Sequence, residues 1–423
     1  MAAAFLSLLA PGCRKDKDSS PPSVRILSPS AGSLVGIPDT ITVGVAVSDD
    51  RQLESLSIMV ADVDGVPIAP AVTIELSTTS AEVAVDLPLI DERINSAEYQ
   101  ITAVVSDGAN DARAFQPILI NAAPLRVRST FLIPPADGPG IQTITRIDSS
   151  GTPSAFMSVT EISHAVTGLD HLFLAGTATR PLEKVRISTG AAQQIMYNPG
   201  LWPSYFTCLV RDPTDRRIYA GGADGAIKGF TNDGAPILTA TLPSGFRAEA
   251  MVVSGNALVI AAVNPVSQQH RVFRLGYASG AILDQFNGPG SVSSMAALDG
   301  TRVLLFGNAP SGGFIYELNL VGGASVSLRD FPGDSVRAAA AFEDSRFNLA
   351  MDSGIRRFDY QTTAVTTLIP GLVVEGLTWD PVAGHMLAAG GSSVTAFDPV
   401  SGAIVGTEAA PHAVADVLLQ LNR

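Results

Sequence analysis

The sequence predicts an all-β protein with two folded parts, and three observations support this fold class. Glycine and proline are frequent, with 39 and 28 occurrences in 423 residues, and only 16% of the residues are charged. Short runs alternate apolar and polar residues, which is the pattern of half-buried strands. A repeat also runs through the second part of the chain. The length allows two or three domains with ample core.

The repeat is marked by small-residue turns, each followed by a β-rich run. The turns recur at intervals of 39, 44, 46, 43, 40 and 39 residues. They lie at Ser150-Gly151, Thr189-Gly190, Asp233-Gly234, Ser279-Gly280, Gly322-Gly323, Thr362-Thr363 and Ser401-Gly402. This period, with four short strands per unit, predicts a seven-bladed β-propeller over residues 123–423.

The first repeat has only three candidate strands, near residues 127–133, 141–147 and 155–159, and lacks the innermost one. The chain ends in an apolar run, residues 413–421, that has no blade of its own. We expect this run to complete the first blade and close the ring, because closure removes exposed sheet edges. A short terminal helix is the alternative. Residues 338–341 are four alanines that suit a helix by propensity, but the repeat predicts a strand.

Residues 23–122 alternate with a period of two and offer seven short candidate strands, which predicts an immunoglobulin-like β-sandwich. The run 47–56 and the closing residues 105–108 resemble bacterial Ig-like and cadherin-like modules. Ordinary turns are the favoured interpretation of the aspartates in this part, and a calcium site is the alternative. These aspartates are Asp49, Asp50, Asp62, Asp64, Asp107 and Asp111.

Residues 1–22 are interpreted as a signal peptide with a lipidation site, followed by a polar tether. Residues 9–13 resemble a bacterial lipobox, which implies that Cys13 is lipidated and becomes the mature N-terminus. The charged residues 14–18 resemble the export signal of surface lipoproteins in Bacteroidetes-type bacteria. The resemblance implies an outer-membrane lipoprotein of the bacterial cell envelope, exposed at the surface and attached through its lipid. A plain secretory leader is the alternative.

Several functional classes are disfavoured by composition. The net charge of −13 and the presence of only four lysines disfavour nucleic-acid binding. The sequence shows no metal-binding histidine motif, nucleophile elbow or phosphate loop, so no catalytic residue, metal ligand or cofactor is predicted beyond the calcium alternative. Cys208 is expected to be a buried, inert thiol, with a Cys13–Cys208 disulfide as the other reading.

The repeat unit resembles the YVTN and quinoprotein-like propeller repeats over residues 125–423, most closely at residues 393–405. The resemblance implies the fold and leaves the ligand open. Pyrroloquinoline quinone enzymes carry a tryptophan in most blades, whereas this chain has only Trp202 and Trp379. That cofactor is therefore not predicted.

Propeller ligands commonly meet the face at which the innermost strands begin, where side chains from every blade converge. We expect this mouth to bind a glycan, a protein or an envelope component. The candidate ligand-binding residues there are His164, Trp202, Tyr205, Glu249, Arg337 and Glu375. One alternative is an extracytoplasmic hydrolase or lyase with Glu249 and Glu375 as acid and base, and with calcium. Another is a scaffold subunit that docks through the propeller rim.

Overall fold

The computed structural model describes residues 19–136, 141–212 and 214–423, so Cys13 and the lipobox lie outside the described residues. Within these ranges the chain forms β-strands and no helix, as the all-β prediction requires. The described part therefore has no helix that is long and apolar enough to cross a membrane. The chain divides into two compact units. The first comprises the described residues up to Leu125 together with Asn422 and Arg423, and the second comprises Arg126–Leu421.

The first unit consists of two sheets around one apolar core. Its strands are β1 (Ser23–Ser28), β2 (Ser33–Gly36), β3 (Asp39–Ser48), β4 (Ser55–Ala61), β5 (Val72–Glu75), β6 (Ser80–Leu89), β7 (Ala97–Ser106) and β8 (Asp111–Asn121). The sheets have the strand orders β1-β3-β6 and β2-β8-β7-β4-β5. Alternate residues of β3, Val43 and Val45 among them, are fully buried in the core. Strand β2 is not predicted from the sequence, because four residues are too few to show a period.

The aspartates of the first unit make turn contacts. Asp62 Oδ1 accepts hydrogen bonds from the amides of Asp64 and Val66, at 3.0 and 2.8 Å. Asp107 Oδ1 accepts two amide hydrogen bonds of 2.6 Å, and its hydrogen bonds with Asn110 and the turn lower the pKa of Asp107. Over the ranges that the structure describes, no three His, Cys, Asp or Glu residues are grouped so that they could hold a metal ion.

The second unit consists of four-stranded antiparallel sheets, numbered here along the chain. Sheet 1 begins with β9 (Val127–Ile133), β10 (Gln142–Asp148) and β11 (Pro153–Val159). Sheet 2 contains β12 (Ile162–Thr167), β13 (His171–Gly176), β14 (Leu182–Arg186) and β15 (Ala192–Met196). Sheet 3 contains β16 (Phe206–Arg211), β17 (Ile218–Gly222), β18 (Ala226–Phe230) and β19 (Pro236–Thr241). Sheet 4 contains β20 (Arg247–Ser254), β21 (Ala257–Asn264), β22 (Gln269–Gly276) and β23 (Ile282–Asn287).

The later sheets repeat the same order. Sheet 5 contains β24 (Ser291–Ala297), β25 (Arg302–Ala309), β26 (Gly312–Asn319) and β27 (Ser325–Pro332). Sheet 6 contains β28 (Val336–Glu343), β29 (Arg346–Met351), β30 (Gly354–Asp359) and β31 (Ala364–Pro370). Sheet 7 contains β32 (Gly376–Asp380), β33 (His385–Gly390), β34 (Ser393–Phe397) and β35 (Ile404–Ala409), and the last strand is β36 (Asp416–Leu421). The four alanines at 338–341 lie in β28, so the strand prediction for them is confirmed.

The C-terminal tail is the innermost strand of sheet 1. Strand β36 pairs antiparallel with β9, with Val417 opposite Leu132. Just before it, the amide of Ala415 donates to the carbonyl of Ile133 at 2.8 Å. The tail is therefore a strand rather than a helix, and the prediction that it completes the first sheet is confirmed.

The sheets of the second unit form a closed ring. Each of its core clusters joins two consecutive sheets; one of them, for example, combines Phe131 of sheet 1 with Leu172 and Leu174 of sheet 2. The last cluster joins sheet 7 to sheet 1, through Ala389 on one side and Leu132 and Val417 on the other. Sheets that pack face to face around a common axis and close on themselves form a β-propeller.

The turns that reveal the repeat have a common backbone cause. The residue at the end of each turn has a positive φ, for example 76° at Gly402, and glycine tolerates this region without steric cost. At the sixth turn the residue is Thr363, with a φ of 52°. The sixth turn therefore keeps the backbone geometry of the others without a glycine.

Candidate functional site

A β-bulge recurs near the start of the inner strand in sheets 2 to 6. One residue is skipped in the pairing of the inner strand with its neighbour, and bulges of this kind redirect a side chain. In sheets 7 and 1 the equivalent residue precedes the strand and donates its amide to the neighbouring strand. We call these positions the mouth ring: Ser163, Thr207, Glu249, Ser293, Arg337, Glu375 and Ala415.

The mouth ring contains three of the six predicted ligand-binding residues, namely Glu249, Arg337 and Glu375. His164 lies one position after its bulge, whereas Trp202 and Tyr205 lie before β16. Alignment of the repeats on the turn that ends each inner strand does not reveal a skipped residue. The other three predicted residues therefore lie outside the mouth ring, with His164 one residue after Ser163 and with Tyr205 and Trp202 two and five residues before Thr207.

Glu249 is anchored to the next sheet. Its Oε1 accepts a hydrogen bond from the Ser291 hydroxyl at 2.8 Å, and its Oε2 accepts one from the Val292 amide at 3.3 Å. The Nδ1 atom of His270 lies 3.7 Å from Oε2. This carboxylate therefore ties sheet 4 to sheet 5.

Arg337 joins two carboxylates. Its Nε donates to Asp352 Oδ1 at 2.7 Å, and its Nη1 donates to Glu375 Oε1. The hydrogen bond from Arg337 lowers the pKa of Asp352 and keeps it ionised. Among the described residues no contact joins Glu249 to Glu375. The structure therefore pairs each predicted acid–base residue with a neighbouring sheet and not with the other.

Tyr205 belongs to the core between sheets 2 and 3. It is 4% exposed, and its hydroxyl donates to the Asp224 carboxylate at 3.1 Å. Burial, reinforced by Asp224, raises the pKa of Tyr205 to about 12. Trp202 packs on its ring with a centroid distance of 5.6 Å. Burial also lowers the pKa of His164, so this imidazole is neutral near pH 7.

A cleft of about 1350 Å³ lies between sheet 1 and sheet 7, and none of the six predicted residues lines it. We call it the closure cleft. Strand pairing places alternate residues of each sheet on its walls. The sheet 1 wall presents Thr130, Leu132, Thr143, Thr145 and Ile147, and the sheet 7 wall presents Leu387, Val394, Ala396, Gly406 and Glu408.

The closure cleft exists because the described residues of this interface include no aromatic side chain in its core. Each of the other six inter-sheet clusters contains at least two aromatic rings. Phe131 and Phe156, for example, pack between sheets 1 and 2 with their ring centroids 5.2 Å apart. The cluster between sheets 7 and 1 contains only aliphatic and alanine side chains. Small side chains on two facing sheets leave the space between them unfilled.

The polar groups on the described lining of the closure cleft include one histidine and three carboxylates. His412 Nδ1 donates to the Ala413 carbonyl at 2.9 Å, and its Nε2 lies at hydrogen-bond distance, 2.9 Å, from the Thr145 hydroxyl. Three carboxylates, those of Asp148, Asp380 and Glu408, border the cleft, and its described lining includes no lysine or arginine. Hydrogen bonds from Ser150 and Thr152 lower the pKa of Asp148, so this group carries its charge.

Comparison with known proteins adds little to this geometry. No protein-family profile matches the chain, and no curated protein matches it. Among solved structures, the chain is similar to BamB from Moraxella catarrhalis, with 20% sequence identity and a TM-score of 0.41. The match covers 58% of this chain and 72% of that chain. The β-propeller assignment therefore rests on the closed ring of sheets in this protein.

Proposed function

We propose that the chain is a binding protein of the bacterial envelope, with an immunoglobulin-like domain, a seven-bladed propeller and a lipid anchor at Cys13. Its ligand is an extended polypeptide segment that inserts into the closure cleft. The observation that carries this proposal is that, among the described residues, no aromatic side chain packs at the interface where the ring is closed. A partner that brings its own apolar side chains fills the space that the other interfaces fill with phenylalanine and tyrosine.

The residues that line the cleft favour a polypeptide over a sugar or a lipid as its ligand. Sugars are held largely by stacking on tryptophan and tyrosine, and neither is present in the described lining of the cleft. A fatty acid or anionic lipid would place its negative charge beside Asp148, Asp380 and Glu408. A polypeptide segment with an apolar anchor and a basic residue matches both the apolar walls and the acidic border.

The mouth ring is a second proposed contact surface. Glu249, Arg337 and Glu375 are its candidate residues, and His164, Trp202 and Tyr205 are proposed as candidates beside it. The contacts of Glu249 and Arg337 to neighbouring sheets organise this face of the ring, and Arg337 supplies a positive charge there. We place the principal site in the closure cleft because that surface is concave and unfilled.

The cleft can be blocked without disturbing the fold. A Cβ atom at Gly406 would meet nothing within 4 Å, so Gly406→Trp inserts a ring into open space. Gly322→Trp is the matched control, because Gly322 is equally unhindered and does not line the cleft. The probe is a phage-displayed library of random peptides, with laurate and a chito-oligosaccharide as representatives of the other classes.

We expect enriched peptides to carry an aromatic and a basic residue and to bind the wild type and Gly322→Trp equally. Gly406→Trp should abolish binding, and Glu408→Lys should weaken it about tenfold through charge repulsion. Peptide binding that survives Gly406→Trp would move the site elsewhere. Binding of laurate or the oligosaccharide, instead of peptides, in a manner blocked by Gly406→Trp would overturn the ligand class.

The envelope location is tested separately. Expression in a bacterial host with labelled palmitate should label the wild type and leave Cys13→Ser unlabelled, because the thiol is the lipid acceptor. Equal labelling of both chains, or of neither, would remove the anchor from the proposal while leaving the closure cleft as a binding site.

A further inference from the structure

A second cavity, of about 290 Å³, lies among the inner strands at the end of the ring opposite the mouth ring. Its walls come from the C-terminal parts of β12, β16, β32 and β36 and from Pro381. They are mostly apolar and include Val166, Trp379 and Leu418. The one charged side chain among the described residues of this wall is Arg211.

The Arg211 guanidinium has no partner among the described residues. Its Nε is buried without a hydrogen bond, and no ion pair or hydrogen bond joins its side chain to any of them. Several arginines of the second unit are paired, for example Arg180 with Glu183, Arg274 with Asp284 and Arg302 with Asp299, whereas the Nε of Arg271, like that of Arg211, is buried without a hydrogen bond. A guanidinium Nε–H group that is buried without a hydrogen bond is costly, so its presence beside this cavity points to a ligand.

The charged groups near Arg211 leave its guanidinium free to bind a ligand. Arg216 adds a second positive charge, whereas Asp212 offsets it in part. The Asp212 carboxylate is engaged elsewhere, because it accepts hydrogen bonds from the Tyr277 hydroxyl at 2.7 Å and the Thr214 amide at 2.9 Å. Burial and the charge of Arg216 lower the pKa of Arg211, although arginine stays protonated in proteins.

We propose that Arg211 and the cavity beside it form a binding site for a small organic carboxylate with an apolar body. The guanidinium accepts a carboxylate in a bidentate arrangement, which is the geometry that arginine favours. Val166, Trp379 and Leu418 enclose the apolar body. The hydroxyls of Thr167 and Thr378 already donate to the Leu419 and Val417 carbonyls, so Arg211 is the recognition group.

The test uses 3-phenylpropionate as the probe, with its neutral amide and inorganic phosphate as comparison ligands at constant ionic strength. Binding is measured by calorimetry on the full chain. The variant is Arg211→Met, and Arg186→Met, which removes an exposed arginine of β14, is the control. We expect 3-phenylpropionate to bind, the amide and phosphate to bind more weakly, and Arg211→Met to weaken binding about 10- to 100-fold.

Without ligand, Arg211→Met should melt at the same temperature as the wild type or higher, since it removes a half-buried charge that has no partner among the described residues. This result would also show that the variant folds. Equal affinity of the acid and its amide, equal affinity of wild type and Arg211→Met, or a lower melting temperature of Arg211→Met would each overturn the proposal. Phosphate binding more tightly than the carboxylate would overturn the ligand class.

Discussion

The two faces of sheet 1 show how differently one sheet of this ring is packed. Toward sheet 2 it presents Phe131, Ile144 and Phe156, which join a dense apolar cluster. Toward sheet 7 it presents Thr143 and Thr145 beside aliphatic residues, and the closure cleft remains between the sheets. The two faces alternate along the same strands, so the difference lies in the residues and not in the backbone.

Hydrogen bonds as well as packing hold the closing strand β36 in the ring. The Thr378 hydroxyl donates to the Val417 carbonyl at 2.6 Å, and the Thr167 hydroxyl donates to the Leu419 carbonyl at 2.9 Å. These bonds attach β36 to the inner strands on both sides. Directional bonds at the inner edge close the ring and leave the outer part of the same interface free for a ligand.

The largest effect should come from removing the closing strand. A chain that ends at Ala415 lacks β36, so the inner edge of β9 is unpaired and the bonds to Thr167 and Thr378 are lost. We expect loss of cooperative unfolding in the second unit, measured by circular dichroism during heating. A truncated chain that unfolds cooperatively at the wild-type temperature would show that the ring does not depend on closure.

Phe131 and Leu132 are adjacent in β9 and point to the two faces. Phe131→Ala should lower the free energy of unfolding by about 3–5 kcal/mol, because it opens a cavity in the dense cluster with sheet 2. Leu132→Ala should cost about 2 kcal/mol, the low end for such a change, because its side chain already borders the cleft. Guanidinium titrations measure both values, and a larger loss for Leu132→Ala would contradict the comparison.

Much of the ring could be predicted from the sequence because its turns need residues that tolerate a positive φ. Gly151, Gly190 and Gly402 have φ values of 80°, 71° and 76°, and such glycines are visible in the sequence as a period. The role of the tail followed from a missing strand in the first repeat. Both signals can be read along the chain, because the glycine turns are local and the missing strand is found by counting the strands in each repeat.

The candidate sites could not be predicted in the same way. The mouth ring depends on a skipped residue in strand pairing, which alters no residue type. The closure cleft depends on which residues face each other across a seam, here Thr145 and Ala396, from distant parts of the chain. Arg211 could have been singled out from the sequence, because it is the one charged residue of its inner strand, whose other residues are Phe-Thr-Cys-Leu-Val.

A half-buried carboxyl makes the closure interface sensitive to pH. Burial raises the pKa of Asp416 from 3.8 to about 6, against the hydrogen bonds from Val417 and Thr378. The folded state therefore holds this proton more tightly than the unfolded state, and stability is lost as the pH rises from about 4 to about 6. Asp416→Asn should raise the free energy of unfolding by on the order of 2 kcal/mol near pH 7, and this gain should vanish near pH 4.

Asp299 is the control, because the fold shifts its pKa in the opposite direction to that of Asp416. Hydrogen bonds from Thr301, and then the one from Arg302, lower the pKa of this exposed carboxyl in the turn after β24. It stabilises the folded state above its unfolded pKa, and the stabilisation is lost as the pH falls. Asp299→Asn should therefore be destabilising near pH 7 and neutral in acid. Denaturant titrations across this pH range compare the variants, and a gain from Asp416→Asn that does not change with pH would contradict the assignment.

The smallest effect should come from filling the closure cleft. Gly406→Leu removes a flexible glycine from β35 and places an aliphatic side chain in open space opposite sheet 1, so we expect a stabilisation of about 1 kcal/mol. Gly322→Leu also removes an unhindered glycine but does not line the cleft, and it should give less. Denaturant titrations of both variants measure the difference. If Gly406→Leu stabilises no more than Gly322→Leu, the added side chain remains in water and the two sheets do not enclose the space that the proposed ligand needs.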